Sequence, residues 1–198
     1  MYKYIKIILD KIFSLILIIL LLPLFCLIVL VLKLNGVNKI IYKQERSGLN
    51  NKKFVIYKFR TLNGNNNICL FCNYLRRTGL DELPQLFNIL KGDMSFIGPR
   101  PWICDYSKYY DQNQMKRLSV LPGLTGLAQV NICNNVFEKI NYDLFYVSNL
   151  SIKMDIKILY KTFMMIFNNK KDTYNYKEIK KEIKDLRKQY YRRGSNES

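Results

Sequence analysis

The chain has 198 residues, a formal net charge of +17 and no histidine. This length suits one globular domain with an appendage and is too short for two full domains. Without histidine, any acid, base or nucleophile must be a carboxylate, thiol, hydroxyl or amine. The excess of 32 Lys and Arg over 15 Asp and Glu predicts an anionic partner, such as nucleic acid, phospholipid headgroups or a phosphorylated substrate.

The five cysteines are odd in number and irregularly spaced, which is typical of reduced thiols rather than a disulfide framework. Cys69 and Cys72 have the spacing of half a zinc site. No second pair and no histidine complete it, so the sequence does not predict a zinc centre.

Residues 12–32 form an uncharged, almost wholly apolar run of 21 residues. A helix needs about 20 such residues to cross a bilayer core. The run is too long for a secretory signal, and no small-residue cleavage site follows it. We therefore predict that this segment lies in a membrane.

Two features of the segment favour a helix that enters and leaves by the same membrane face. Lysines lie on both sides of it, which places both ends on the cytoplasmic side. They are Lys3, Lys6 and Lys11 before the run and Lys33, Lys39 and Lys43 after it. Pro23 lies in the middle, where it removes a backbone hydrogen bond and bends the helix. A kinked single span is the alternative.

The next part of the chain changes to strand-like character. Residues 39–43 and 54–59 are rich in β-branched and aromatic side chains, and a polar stretch at 47–51 separates them. This pattern predicts a β-hairpin. A short helix is expected over residues 68–76, which would bring Arg76 towards the acidic residues that follow.

Asp81 and Glu82 are adjacent carboxylates just before an apolar helical pattern that stops at Gly92. With Asp81 as the N-cap, Pro84 falls at a position where its missing N–H is tolerated. The positive end of the helix would then favour a carboxylate or a phosphoryl group. The alternative is that Asp81 only caps the helix and Glu82 is a solvated acid.

The rest of the chain alternates loops and helices. Residues 98–101 (Gly-Pro-Arg-Pro) predict a rigid loop that presents Arg100, a suitable phosphate ligand. Helices are predicted over 106–121, 136–146 and 151–167, with a loop at 122–126. The last of these helices has an apolar stripe beside lysines, which fits either a core helix or one that lies in the headgroup plane.

Six short blocks, taken together and in this order, resemble the bacterial sugar transferase family. They are residues 57–61 (Tyr-Lys-Phe-Arg-Thr), 80–88 (Leu-Asp-Glu-Leu-Pro-Gln-Leu-Phe-Asn), 91–95 (Lys-Gly-Asp-Met-Ser), 98–101 (Gly-Pro-Arg-Pro), 122–126 (Pro-Gly-Leu-Thr-Gly) and 128–131 (Ala-Gln-Val-Asn). More narrowly, the chain is similar to the small monotopic phosphoglycosyl transferases, which start glycan assembly on polyprenol phosphate. The likeness extends from residue 1 to about residue 167.

The resemblance implies a two-step reaction at the cytoplasmic face of the bacterial inner membrane. Family members transfer a phospho-sugar from a nucleotide diphosphate sugar, here expected to be a UDP sugar, to polyprenol (undecaprenyl) phosphate. They release the nucleoside monophosphate and use Mg²⁺. By this likeness Asp81 is the nucleophile of a covalent phosphosugar intermediate, Glu82 is its partner, and the two arrange the metal.

The resemblance also implies roles for other residues and partners. Arg76 and Arg100 match arginines that hold substrate phosphate. The remaining pocket candidates are Lys58, Arg60, Gln129, Asn131, Asp143 and Asp155. The expected partners are the nucleotide diphosphate sugar, polyprenol phosphate, the phospholipid membrane and downstream glycosyltransferases, with no nucleic acid.

Two other functions compete with this interpretation. One is a non-catalytic, membrane-tethered basic protein that binds anionic lipid or nucleic acid. Its basic residues are dispersed, however, and no nucleic-acid-binding signature is present. The other is an inactive family member that acts as a scaffold, but the acidic pair and both arginines are retained.

The predicted fold class is α+β. It comprises an N-terminal membrane-inserted, re-entrant helix, a small β-hairpin and several short helices at the membrane surface. The predicted segments are a membrane anchor helix at 1–36, a sugar transferase catalytic domain at 37–170 and a basic C-terminal tail at 171–198.

Overall fold

A computed structural model describes residues 2–61, 70–133 and 135–167 of the chain. It contains helices and two small two-stranded sheets, which confirms the predicted mixture of α and β elements. The chain divides into two compact units. The first comprises residues 1–45 and 54–96, and the second comprises residues 46–53 and those from 97 onward.

Two N-terminal helices replace the single bent helix of the prediction. They are α1 (Tyr2–Leu20) and α2 (Leu22–Leu34), with Pro23 in the first turn of α2. The pair is bent by 60°, and no single described helix is long and apolar enough to cross a bilayer, whereas the pair together meets that requirement. The predicted bend at Pro23 is confirmed, because proline interrupts the helical hydrogen bonds at this point.

The helix pair exposes many large apolar side chains. They include Ile5, Ile8, Ile12, Phe13, Leu15, Ile16, Ile19, Leu20, Leu22, Leu27, Leu30 and Leu34. Contiguous apolar surface of this extent is unusual on a soluble monomer and is typical of a membrane or protein interface.

The predicted hairpin is confirmed. Strand β1 (Ile41–Ser47) pairs with β2 (Lys53–Phe59), so β1 is longer than the sequence pattern suggested. In the connection, Asn50 and Asn51 have φ values of 51° and 60°. Asparagine tolerates this left-handed conformation, which explains why these residues form the turn.

A core cluster of the first unit joins α2 to the hairpin and to α3 (Leu70–Thr78). Ile28 and Leu32 of α2 belong to one buried cluster with Phe59 and Leu75. The predicted helix over 68–76 is therefore confirmed from Leu70, and its first residues lie outside the described part. Because the cluster is continuous, α2 is part of the support of the hairpin and of α3.

Helix α4 (Gln85–Lys91) is fixed to β2 by Asn88, which is fully buried. The side-chain oxygen of Asn88 accepts from the backbone N–H of Tyr57 at 3.1 Å, and its amide nitrogen donates to the carbonyl of Val55 at 2.7 Å. Gly92 ends the helix with a φ of 88°, as the sequence predicted.

Replacement of Asn88 by Ala is expected to lower the free energy of unfolding by about 2–6 kcal/mol, because two backbone groups of β2 lose their partner and each loss costs about 1–3 kcal/mol. Chemical denaturation measures the change. Asn73→Ala, on the exposed surface of α3, is the control and should change stability little. Equal losses in both variants would contradict the role assigned to Asn88.

The second unit begins with irregular structure where the sequence predicted a helix over 106–121. That prediction is wrong. Two 3₁₀ segments (Cys104–Tyr109 and Gln114–Ser119) flank extended backbone at Tyr110. The side chains of Asp111 and Gln114 accept hydrogen bonds from each other's backbone N–H groups, a capping box that begins a new helical segment after Tyr110 and so interrupts the predicted helix.

The loop predicted at 122–126 is in part a strand. Strand β4 (Gly123–Thr125) pairs with β3 (Ser95–Ile97). A Cβ atom on Gly123 would lie 2.1 Å from the backbone nitrogen of Gly98. The two segments can approach this closely only because both positions are glycine.

Helices α5 (Val136–Ser148) and α6 (Ile152–Phe167) confirm the last two helical predictions. The predicted apolar stripe of α6 (Ile152, Ile156, Leu159, Phe163 and Phe167) is exposed, whereas Ile158, on another face of the helix, is buried. The predicted tail from 171 lies outside the described residues.

One further prediction is wrong: Cys72 is in a disulfide, whereas Cys26, Cys104 and Cys133 are thiols. The number and spacing of cysteines in the sequence do not show which of them lie close enough to form a disulfide.

Candidate active site

The acidic pair lies on a tight turn between α3 and α4. Gly79 has a φ of 76° and ends α3, and Asp81 then falls inside a 3₁₀ turn (Leu80–Glu82). Helix α4 begins only at Gln85, so the prediction that Asp81 caps a helix is wrong. The reason lies in Leu80 and Leu83, which both pack on the core of the first unit. Residues three apart lie on one side of a 3₁₀ turn, which leaves Asp81 and Glu82 on the other side.

Lys58 is paired with Glu82. It lies near the end of β2, where the next residue, Phe59, points into the core and Lys58 points away from it. Its Nζ lies 2.5 Å from Oε1 of Glu82, and both side chains are about one-fifth exposed (20% each). The hairpin therefore carries a positive charge to the acidic pair.

Asp81 is in a more unusual environment. Burial, together with the negative charge of Glu82, raises the pKa of Asp81 above its ordinary value, and the positive charges of Lys58 and Arg76 partly oppose the rise. The Nε of Arg76 donates to the Oγ1 of Thr61 at 2.7 Å, which holds the arginine at the hairpin end. Four predicted site residues, Lys58, Arg76, Asp81 and Glu82, thus form one electrostatic cluster in the first unit.

Asp81→Asn is expected to raise the melting temperature of the protein at neutral pH. The folded-state pKa of Asp81 is raised, so its ionisation opposes folding above the ordinary pKa of an unfolded aspartate, and that penalty disappears as the pH falls below this value. Each kcal/mol recovered corresponds to about 2–4 °C in a chain of this size. Thermal unfolding of both proteins across this pH range measures the difference. A variant that is less stable than the wild type at pH 7 would contradict the assigned environment.

The other predicted residues lie mostly in the second unit, and they are held in different ways. Asp143 is fully buried, and its Oδ2 lies 2.6 Å from Nη2 of Arg117. Asp155 is also buried, and its Oδ1 lies 2.8 Å from the hydroxyl of Tyr146. Both acids thus contact side chains of their own unit.

The two predicted amides differ from each other. Gln129 is buried, and neither atom of its amide hydrogen-bonds to any residue that the structure describes. Asn131 instead accepts a hydrogen bond from the Nζ of Lys161 at 2.9 Å and donates to the carbonyl of Leu127. A buried amide without a partner is costly, so Gln129 is the stronger candidate for contact with a ligand.

Arg60, in the first unit, lies with its guanidinium carbon 5.7 Å from the centre of the Tyr42 ring. Its Nε is buried and makes no hydrogen bond within the described part of the chain. Arg60 thus lies within cation–π distance of a ring of the hairpin.

Sequence reasoning missed three residues that organise these groups: Asn88, Arg117 and Lys161. Arg117 and Asp143 are separated by 26 positions, and Lys161 and Asn131 by 30. No periodicity reports contacts at such separations. Asn88 lay within a recognised block, but its buried hydrogen bonds to β2 follow only from the fold.

The donor set for a metal is small. In the described residues, no group of three or more His, Cys, Asp or Glu side chains could hold a metal ion. Asp81 and Glu82 supply two adjacent carboxylates, and Mg²⁺ commonly takes one or two carboxylates with substrate phosphates. The site fits Mg²⁺ that is shared with a substrate and does not fit a metal held by protein groups alone.

A family model described as bacterial sugar transferase matches residues 1–169. The chain belongs to the bacterial sugar transferase family. The expectation from the six sequence blocks is therefore confirmed. Membership also makes the clustered acids and cations of the first unit a candidate active site of a bacterial sugar transferase.

Three relatives illustrate the likeness of this bacterial sugar transferase. An uncharacterized sugar transferase, EpsL, of Bacillus subtilis (strain 168) is 39% identical over 142 residues, 65% of this chain and 70% of that protein. The UDP-glucose:undecaprenyl-phosphate glucose-1-phosphate transferase of Escherichia coli (strain K12) is 33% identical over 81% of this chain and 40% of its own length. A UDP-N-acetylgalactosamine-undecaprenyl-phosphate N-acetylgalactosaminephosphotransferase of Aeromonas hydrophila is 33% identical over 83% of this chain and 44% of its own length.

Proposed function

We propose that this protein is a phosphoglycosyl transferase that moves a phospho-sugar from a nucleotide diphosphate sugar, a UDP sugar by analogy with the relatives, to undecaprenyl phosphate. The observation that carries the proposal is Asp81: a partly buried carboxylate with a raised pKa, beside Glu82 and two cations, in a bacterial sugar transferase. Relatives whose names specify a sugar phosphate and undecaprenyl phosphate support the substrate class.

In the first step, a carboxylate oxygen of Asp81 attacks the phosphorus that bears the sugar. The bond from this phosphorus to the bridging oxygen breaks, and the nucleoside monophosphate leaves with the electron pair. Partial burial of Asp81 favours this attack, because it strips water from the carboxylate and raises its basicity. The product is a phosphosugar bound to Asp81 as a mixed anhydride.

In the second step, a phosphate oxygen of undecaprenyl phosphate attacks the same phosphorus and displaces the carboxylate of Asp81. A diphosphate-linked sugar lipid forms, and the free carboxylate is restored. Division of one displacement into two in this way is the general advantage of a covalent intermediate.

The cations around Asp81 reduce the negative charge of the acidic pair. Lys58 neutralises Glu82, and with Arg76 it lowers the charge that an approaching diphosphate meets. Arg100 is assigned to a substrate phosphate, because its guanidinium can bind two phosphate oxygens. Asp81 and Glu82, together with the diphosphate, would hold Mg²⁺, which neutralises negative charge on phosphate oxygens when it is bound.

We also propose that α1 and α2 enter one face of the bacterial inner membrane and return to the cytoplasmic side. The bend of 60°, the exposed apolar side chains and the lysines at both ends support this arrangement. Labelling of tags at the two termini in sealed vesicles tests it. Both termini should be accessible from one side, and termini on opposite sides would show a broken span instead.

The reaction is tested by incubation of the detergent-solubilised protein with Mg²⁺, undecaprenyl phosphate and a panel of nucleotide diphosphate sugars. We expect release of the nucleoside monophosphate with at least one donor, and formation of a sugar lipid that retains one phosphate from that donor. Transfer of the sugar without its phosphate would contradict the proposed reaction.

A further inference from the structure

Arg117 is among the largest fully buried side chains in the described part of the protein, with 1% of its surface exposed. All three nitrogens of its guanidinium donate hydrogen bonds, and the group also lies against an aromatic ring. The Nε and Nη2 atoms donate to the Oδ2 of Asp143 at 3.1 Å and 2.6 Å, and Nη1 donates to the hydroxyl of Tyr110 at 3.0 Å. The guanidinium carbon lies 4.3 Å from the centre of the Trp102 ring. Burial raises the pKa of Tyr110 to about 12, so this hydroxyl stays protonated at neutral pH.

Arg117 also touches the segment that presents Arg100. Its Nη2 donates to the backbone carbonyl of Arg100 at 2.9 Å. Trp102, on which Arg117 stacks, lies two residues further along. A buried ion pair does not require either contact, so Arg117 does more than neutralise Asp143.

The backbone of residues 98–102 is held at every position. The bonds are Gly98 N to Thr125 O (2.9 Å), Gly123 N to Pro99 O (3.0 Å), Arg117 Nη2 to Arg100 O (2.9 Å), Arg46 Nη1 to Pro101 O (3.4 Å) and Ser47 N to Trp102 O (3.0 Å). The bond to the Arg100 carbonyl is the only one of these five that a buried side chain supplies.

Proline on both sides of Arg100 restricts it further. Pro99 and Pro101 have a fixed φ, and a residue that precedes proline is confined to extended backbone. Once its carbonyl is also fixed, the direction of the Cα–Cβ bond of Arg100 is set. The side chain of Arg100 then loses less freedom when it binds a ligand.

We propose that Arg117, locked by Asp143, is a positioning residue that fixes the 98–102 segment so that Arg100 can bind a phosphate of the nucleotide diphosphate sugar. The inference rests on the proposed function for the identity of the ligand. It gives Asp143 an indirect role in donor binding, through Arg117, in place of direct contact with the substrate.

A double-mutant cycle on donor binding tests the inference. Arg117→Lys keeps the charge but removes the planar fork, and with it the Nε bond to Asp143, the Nη1 bond to Tyr110 and the planar contact with Trp102 that together hold Nη2 against the Arg100 carbonyl. Isothermal titration with a panel of nucleotide diphosphate sugars identifies a donor that binds the wild type, and its Kd is then measured for the wild type, Arg117→Lys, Arg100→Ala and the double variant. Thermal unfolding shows that each variant is folded, and Lys116→Gln, at the exposed neighbouring position, is the matched control.

We expect Arg117→Lys to weaken donor binding about tenfold in the wild-type background and less than about twofold in the Arg100→Ala background. Equal factors in both backgrounds would overturn the inference, as would unchanged Kd values in a folded Arg117→Lys protein. If Arg117→Lys does not fold, the same cycle is measured with Tyr110→Phe, which removes only the hydroxyl that Arg117 contacts. We then expect a smaller loss of donor affinity, and no loss in the Arg100→Ala background. If the wild type binds a donor but does not turn it over, the proposed reaction is refuted, and the double-mutant cycle still tests the role of Arg117. A wild type that binds no donor refutes both.

Discussion

Asp81→Asn is expected to lower kcat for release of the nucleoside monophosphate by at least about 10⁴-fold, because loss of a covalent nucleophile removes both displacement steps. The amide is close in size to the carboxylate, so the turn at Leu80–Glu82 should persist. Turnover of the donor is measured by detection of the nucleoside monophosphate, with circular dichroism to confirm the fold.

The control for this variant is Asp105→Asn. Asp105 is exposed and pairs with Lys108, three residues away. Its loss should leave kcat within about twofold of the wild type, as for most surface substitutions. Residual turnover of the Asp81→Asn protein above a hundredth of the wild-type rate would contradict the nucleophile assignment.

Asp143→Ala is expected to lower the free energy of unfolding by about 3–5 kcal/mol, because it leaves the buried guanidinium of Arg117 without its counter-charge. Arginine cannot shed its proton to relieve this cost. Urea denaturation measures the loss. The same change at Asp105 breaks an ion pair whose side chains are 69% and 72% exposed, and should cost no more than about 1 kcal/mol.

A comparison of Asp143 with Asp81 distinguishes an effect on stability from an effect on turnover. Asp143 lies in the second unit and is buried with Arg117, whereas Asp81 lies in the first unit with Lys58 and Arg76. We therefore expect Asp143→Ala to lose stability, and Asp81→Asn to lose turnover while it gains stability. Similar stability losses in Asp143→Ala and Asp105→Ala would contradict the buried pair.

Elements with a clear local pattern could be predicted from the sequence. The β-branched runs gave the hairpin, and the apolar periodicity gave α5 and α6. Pro23 marked the bend between α1 and α2. In each case the signal lies within a few residues of the element that it predicts.

Other features depended on contacts that local patterns do not encode. The helix expected over 106–121 is instead two shorter segments, because Asp111 and Gln114 form a capping box that begins the second of them. The cap expected at Asp81 failed because Gly79 ends α3 and the core places the next residues in a tight turn. The pairing of Lys58 with Glu82 spans 24 positions and follows only from the fold.

The acids were predicted because Asp81 and Glu82 are adjacent carboxylates within a block that resembles the family to which the chain belongs. Their environment could not be read in the same way. Burial and the charge of Glu82 raise the pKa of Asp81, and the charges of Lys58 on β2 and Arg76 on α3 partly oppose that rise. The choice of Asp81 as the reactive group is a prediction from the sequence, and the structure describes the charges around it.

The central claim is that Asp81 carries the phosphosugar. Intact-protein mass spectrometry after incubation with Mg²⁺ and the active donor, in the absence of undecaprenyl phosphate, tests it most directly. We expect an added mass equal to one phosphosugar on the wild type, its absence from Asp81→Asn and its loss when undecaprenyl phosphate is added. The same adduct on Asp81→Asn, or turnover by the wild type without any adduct under rapid quenching, would contradict it.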